Sequence, residues 1–152
     1  MAFDENFAVM CVGITDAGNL GAIARSAWAL GVGALIFSGV KSINVESLIR
    51  TSSGAALDLP LYLMADALQS FENFRQAGFQ TFGGVLDKNA QANTDAQTLK
   101  PKKKLLLLGA EDTGLPKRIE DRLDVRLNIA MAHQFDSLNV SAAAAILIDR
   151  IR

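Results

Sequence analysis

The sequence predicts an α/β domain built on a mainly parallel, six-stranded sheet. Six short apolar runs of strand length alternate with polar turns and with stretches of helical periodicity. That alternation favours strands joined by crossover helices, and hence parallel neighbours. The chain has 152 residues, half of them hydrophobic and a fifth charged, which suits one domain with a substantial core.

The first run, FAVMCVGI (7–14), is rich enough in Val and Ile for a buried strand. After the turn TDAGN, apolar positions 20, 23, 24, 27 and 30 share one helical face. Gly31 and Gly33 stop this helix, because glycine accepts the left-handed cap conformation. ALIFSG (34–39) is the second strand, and NVESLIRTSSG (44–54) is a short helix ending at glycine. LPLYLM (59–64) is the third strand, with Pro60 near its start, where a missing donor is tolerated. DALQSFENFRQAG (66–78) has the spacing of an amphipathic helix, and FQTFGGVL (79–86) is a strand carrying two glycines. A long polar loop leads to LLLLG (105–109), a fifth strand. A short helix LPKRIEDRL, a sixth strand VRLNIAM (125–131) and a closing helix over about 138–151 complete the chain. With no repeat and no domain-scale shift of composition, 1–152 reads as one domain.

Several classes are disfavoured. No apolar run approaches the ~20 residues of a membrane span, and no basic segment precedes the first apolar run, as a secretion signal requires. The lone Cys11 cannot form an internal disulfide, and both features fit the cytoplasm. One cysteine and one histidine make a zinc site unexpected, so no metal is assigned. A net charge of −1 argues against a protein that holds nucleic acid by bulk charge, but not against a local basic surface.

In parallel sheets, ligands bind beyond the carboxyl ends of the strands. Three such ends carry unusual loops: TDAGNLGAIAR, GAEDTGLP and AMAHQFDSLNVS. In the first, Gly18 and Gly21 are three apart and the third glycine of a dinucleotide fingerprint is absent. Gly18 and Asn19 then make the strand-to-helix turn, with Asn19 as the helix cap. Arg25 lies off the apolar stripe, beside small residues, as either a solvated charge or a group facing the loop mouth. In the second loop, Gly109 and Gly114 let backbone approach a flat ligand, or simply lead into a helix near Pro116. The third crowds Asp136, Ser137, Asn139 and Ser141 at one helix start, more than a single cap requires. His133, Asp136 and Ser137 are too close in sequence to imply a hydrolytic triad. KPKKK (100–104) is a solvated strand start or a nucleic-acid contact.

Taken together, NLGAIARSAWALGV (19–32), LLLGAEDTGLP (106–116) and LNIAMAHQFDSLNVSAAAAIL (127–147) closely resemble the three motifs of the SpoU/TrmH family of SPOUT RNA methyltransferases. SSGAALDLPL (52–61) resembles the family's linker between the second and third strands. The resemblance implies a C-terminal trefoil knot, S-adenosylmethionine in the knot loops, and a homodimer with the active site at its interface. It implies methyl transfer to a ribose 2′-hydroxyl of tRNA or rRNA. Arg25 matches the family's catalytic arginine, and Asn19, Glu111, Ser137 and Asn139 match residues that position it and the substrate. Leu86, Gly109, Ile129 and Leu138 match cofactor positions, with Gly114 and Met131 close by. Asp136 or Ser137 is left to cap the last helix. The segment HQF (133–135) is bulkier than the small, glycine-containing segment usual there, so a different loop shape is expected. Set against that resemblance, no separate RNA-binding domain is expected, so RNA contact falls to the dimer surface, the KPKKK cluster or a partner protein. The competing readings are a catalytically silent RNA-binding module and another nucleotide-binding α/β enzyme, such as a dehydrogenase.

Overall fold

A computed structural model describes residues 4–84, 102–129, 131–132 and 138–152. Strands β1 (Asp4–Val12), β2 (Val32–Ser38), β3 (Leu61–Met64), β4 (Gln80–Gly84), β5 (Lys104–Gly109) and β6 (Val125–Leu127) form one sheet in the order β3-β2-β1-β5-β4-β6. Every pairing in it is parallel. The helices are α1 (Ala17–Ala29), α2 (Val45–Thr51), α3 (Ala67–Gln76), α4 (Lys117–Glu120) and α5 (Val140–Ile151).

Two apolar layers follow from the two-residue side-chain period of a strand. Phe7, Val9 and Cys11 of β1 join Leu106 and Leu108 of β5 under α1, α2 and α5. Ala8, Met10 and Val12 join Leu105 and Leu107 on the opposite face, with Phe71 of α3 and Ile119 of α4. Both faces of the central strands are therefore buried. This explains why LLLLG is an unbroken apolar run rather than an alternating one.

Boundaries differ from expectation where a cap or a partner strand decides them. Helix α1 starts at Ala17, because the Asp16 carboxylate accepts the Asn19 backbone N–H at 2.8 Å; Asp16, not Asn19, is the cap. Strand β6 ends at Leu127 rather than near residue 131: it pairs only with β4, and the ladder stops where Leu127 meets Gly84. Helix α5 is capped by Asn139 rather than by Asp136 or Ser137, which lie outside the described residues. After α2 the chain turns through Ser53 (φ 55) and Gly54 (φ 87) into a 3-10 turn, Ala55–Leu57. A reciprocal pair fixes β4 to the start of β6. The Thr81 backbone N–H and hydroxyl lie 2.8 and 3.0 Å from Asp124 Oδ2, and the Asp124 N–H donates to Thr81 Oγ1 at 3.0 Å.

Cys11 is buried between β2 and β5, and desolvation pushes its thiol from the ordinary 9.0 up to about 12. The native protein is expected to resist iodoacetamide at mildly alkaline pH and to react once unfolded. The folded pKa is the higher one, so folding loses nothing below about pH 9 and weakens as pH rises from there towards about 12. Denaturant titrations across that window check the slope, which Cys11→Ala should lack.

Candidate active site

The order of the strands locates one topological break. From β1 the chain passes to α1 on one face of the sheet; from β5 it passes to α4 on the other. These two strands are neighbours, with Val12 beside Gly109 at their carboxyl ends. Diverging connections leave a crevice at such a point, the usual place for a ligand in an open α/β sheet.

On the β5 side a tight turn fills the rim. The Gly114 N–H donates to Ala110 O at 2.8 Å, and the two residues form an isolated antiparallel bridge. Gly114 has φ 66. A Cβ at Gly109 would lie 2.3 and 2.4 Å from the Gly114 carbonyl carbon and the Leu115 nitrogen, so the fold-back requires glycine there. Asp112 closes the turn by accepting the Thr113 N–H at 2.9 Å. Glu111 projects from it, and its Oε1 accepts the Val140 N–H, the first of α5, at 2.9 Å.

Asn139 completes the junction. Its Oδ1 accepts from the Ser141 N–H at 2.9 Å and also from the Ser141 hydroxyl, while its Nδ2 donates to Asn19 Oδ1 at 3.1 Å. Two donors at the α5 start are thereby satisfied, one by its own cap and one by Glu111. The three motif loops meet through these contacts: Asn19 from the first, Glu111 from the second, Asn139 from the third. Because α5 depends on Glu111 for one N–H, Glu111→Ala is expected to lower stability by about 1 kcal/mol. Glu111→Gln, which keeps an acceptor oxygen, should recover most of it. Urea unfolding of both variants measures the difference.

Arg25 is not in that cluster. It is exposed, its Nη1 lies 3.4 Å from Ser53 Oγ, and among the described residues it has no ion-pair partner. It lies six positions beyond Asn19, a rise of about 9 Å and roughly a third of a turn away around α1. Ile129 and Leu138 are half-buried and Met131 is exposed, all beyond the carboxyl end of β6 or before α5. Leu86, Ser137 and the bulky 133–135 segment lie outside the described residues.

The described part of the basic cluster, Lys102 to Lys104, stands at the amino end of β5, away from this crevice. Lys104 begins β5, whose other end is Gly109, and its ammonium sits 4.9 Å from the Phe7 ring centroid. Lys103 donates to Ala77 O at 3.1 Å and lies over Phe79. Sequence reasoning missed Ser53 and Asp16. Asp16 was legible, since Asp three residues before Asn19 is an ordinary capping pattern; Ser53 was not, because its partner lies 28 positions away. Among the described residues no group of three His, Cys, Asp or Glu side chains stands ready for a metal ion, and no helix is long and apolar enough to cross a membrane.

The model of the SpoU rRNA Methylase family matches residues 6–149. The 23S rRNA (guanosine-2′-O-)-methyltransferase RlmB of Xylella fastidiosa strain 9a5c is 36% identical over 137 residues, covering 90% of this chain and 54% of that protein. Its namesake from Pseudomonas aeruginosa is 32% identical over 143 residues, covering 91% and 55%. The chain thus spans about half the length of these curated relatives. Among solved structures, an AdoMet-bound rRNA methyltransferase from Sinorhizobium meliloti aligns with a TM-score of 0.85 at 27% identity, over 97% of this chain and 56% of that one.

Proposed function

The chain belongs to the SpoU rRNA methylase family, and from that membership we propose that it is an S-adenosylmethionine-dependent methyltransferase acting on a ribose 2′-hydroxyl of rRNA or tRNA. The observation that carries the proposal is the joining of all three motif loops at the switch-point crevice, through Asn139–Asn19 and Glu111–Val140. A homodimer in the cytoplasm, with no membrane or metal involved, completes the reading. Arg25 standing apart from the other motif residues within one chain supports a site finished across the dimer interface. A C-terminal trefoil knot belongs to the same reading. It is supported by the position of α5, which follows the edge strand β6 in sequence yet packs on α1 and β5.

The residues fit the cofactor. Partly exposed apolar side chains at Ile129, Met131 and Leu138 suit the face of an adenine ring, and Gly109 and Gly114 keep the intervening turn close-packed. Leu86 is assigned to the same group. When bound, S-adenosylmethionine supplies a methyl group already activated on a sulfonium.

The chain's own task is then to make a neutral ribose hydroxyl nucleophilic. A guanidinium offers five N–H donors and no acceptor, so Arg25 is not assigned the role of base. It binds the phosphate beside the target ribose and stabilises the negative charge that grows on the 2′-oxygen. The proton passes to substrate phosphate or to water. Asn139 and Glu111, committed to the α5 start, act by fixing the loops. Asn19 has a side-chain amide N–H pair with no partner among the described residues, and it reaches the substrate together with Ser137.

The test is direct. RNA from cells lacking this protein should gain a 2′-O-methyl mark at a defined position when incubated with the protein and S-adenosylmethionine. A calorimetric blank with S-adenosylmethionine on the folded protein, together with no methyl incorporation, would rule the proposal out.

A further inference from the structure

The corner where α2 ends is built against one face of α1. Gly21 and Arg25 lie one helical turn apart on that face. A Cβ at Gly21 would fall 2.0 Å from Thr51 Oγ1 and 2.6 Å from the Thr51 carbonyl carbon, so α2 rests flush on α1. Thr51 Oγ1 lies 3.0 Å from Ala17 O and 2.8 Å from Ser47 O, sharing its one proton between the two helices. The next residue, Ser52, is fully buried. Its hydroxyl donates to Ile49 O and accepts from the Ala56 N–H, each at 3.1 Å, which locks the turn. Ser53 then sits in the left-handed region, the only non-glycine to do so among the described residues, with its Oγ 3.4 Å from Arg25 Nη1.

Serine pays a conformational penalty at φ 55 that glycine would avoid, as Gly54 does next to it. Strain of this kind persists where the surrounding structure enforces it and the side chain has a task. We propose that Ser53 is the positioning residue for Arg25, a role that rests on the catalytic assignment of Arg25 above. A free arginine samples many rotamers, and ordering it opposes catalysis entropically. The Ser53 hydroxyl limits that sampling by accepting one N–H. At 3.4 Å the bond is long, so it orients the guanidinium without competing against charge-assisted bonds to a phosphate. Four of the five guanidinium N–H groups remain for the substrate.

The experiment uses the full chain, tritiated S-adenosylmethionine and RNA from cells lacking this protein. Ser53→Gly should lower kcat about fivefold, the net worth of one hydrogen bond, with KM for S-adenosylmethionine unchanged and Tm no lower than in the parent. Ser53→Asn offers an acceptor from a residue that tolerates the left-handed region, and should restore at least about half the rate. The Arg25 side-chain N–H signal in NMR should show greater mobility in Ser53→Gly. A parental rate in Ser53→Gly alongside an inactive Arg25→Ala overturns the Ser53 role and leaves that of Arg25. An active Arg25→Ala overturns both. A rate loss that comes with a lower Tm and is not rescued by Asn also overturns the inference, because it marks a merely structural residue.

Discussion

Arg25→Ala is expected to cut methyl transfer by about two to three orders of magnitude, the usual effect of deleting a group that stabilises developing oxyanion charge. Folding should be untouched, since the side chain is exposed and its one described contact is the 3.4 Å hydrogen bond to Ser53. S-adenosylmethionine binding should also survive, because the residues assigned to it lie beyond β4, β5 and β6 rather than on α1. Calorimetry and initial rates on the same preparation separate these outcomes. Arg25→Lys should recover less than about a tenth of the loss, because an ammonium cannot present the planar fork that grips a phosphate bidentately. Transfer within fivefold of the parent in Arg25→Ala would remove the arginine from the mechanism.

Gly109→Ala should be strongly destabilising. The added methyl would stand 2.3 Å from a backbone carbon of Gly114 and 2.4 Å from the Leu115 nitrogen, and neither can rotate away as a side chain would. Overpacking of this kind costs about 3 kcal/mol. For a chain of this length that is a fall in Tm of about 10 °C. The damage should spread, because the displaced turn carries Glu111, on which the first N–H of α5 depends. Weaker S-adenosylmethionine binding is therefore expected with the lower Tm, and differential scanning fluorimetry with and without the cofactor reads both. A Tm within about 2 °C of the parent would show that the turn can re-form elsewhere.

The sheet was legible because its central strands are buried on both faces and so appear as compact apolar runs, LLLLG most plainly. Strand order was not, since nothing local in β5 says that β1 and β4 flank it. The motif residues were legible one by one through resemblance, but their contacts were not. Asn139 looked like an active-site residue and is also a helix cap; Glu111 looked like a substrate contact and holds a backbone N–H. A single side chain can serve both ends, and sequence reports its type, not its partner. The basic cluster was legible as a charged strand start, but the contacts of its side chains were not. Lys103 meets a carbonyl and the Phe79 ring and Lys104 the Phe7 ring, partners that charge composition does not announce.

The Asn139–Asn19 hydrogen bond spans 120 positions of the chain. Closing so long a loop is entropically costly, and contacts of this separation form late and slow the approach to the native state. During synthesis, residues 17–84 can settle into helices and parallel strands well before α5 leaves the ribosome. The crevice cannot be finished until that helix docks. A partly made copy that ends before α5 thus holds several of its strands while lacking the junction of its three loops.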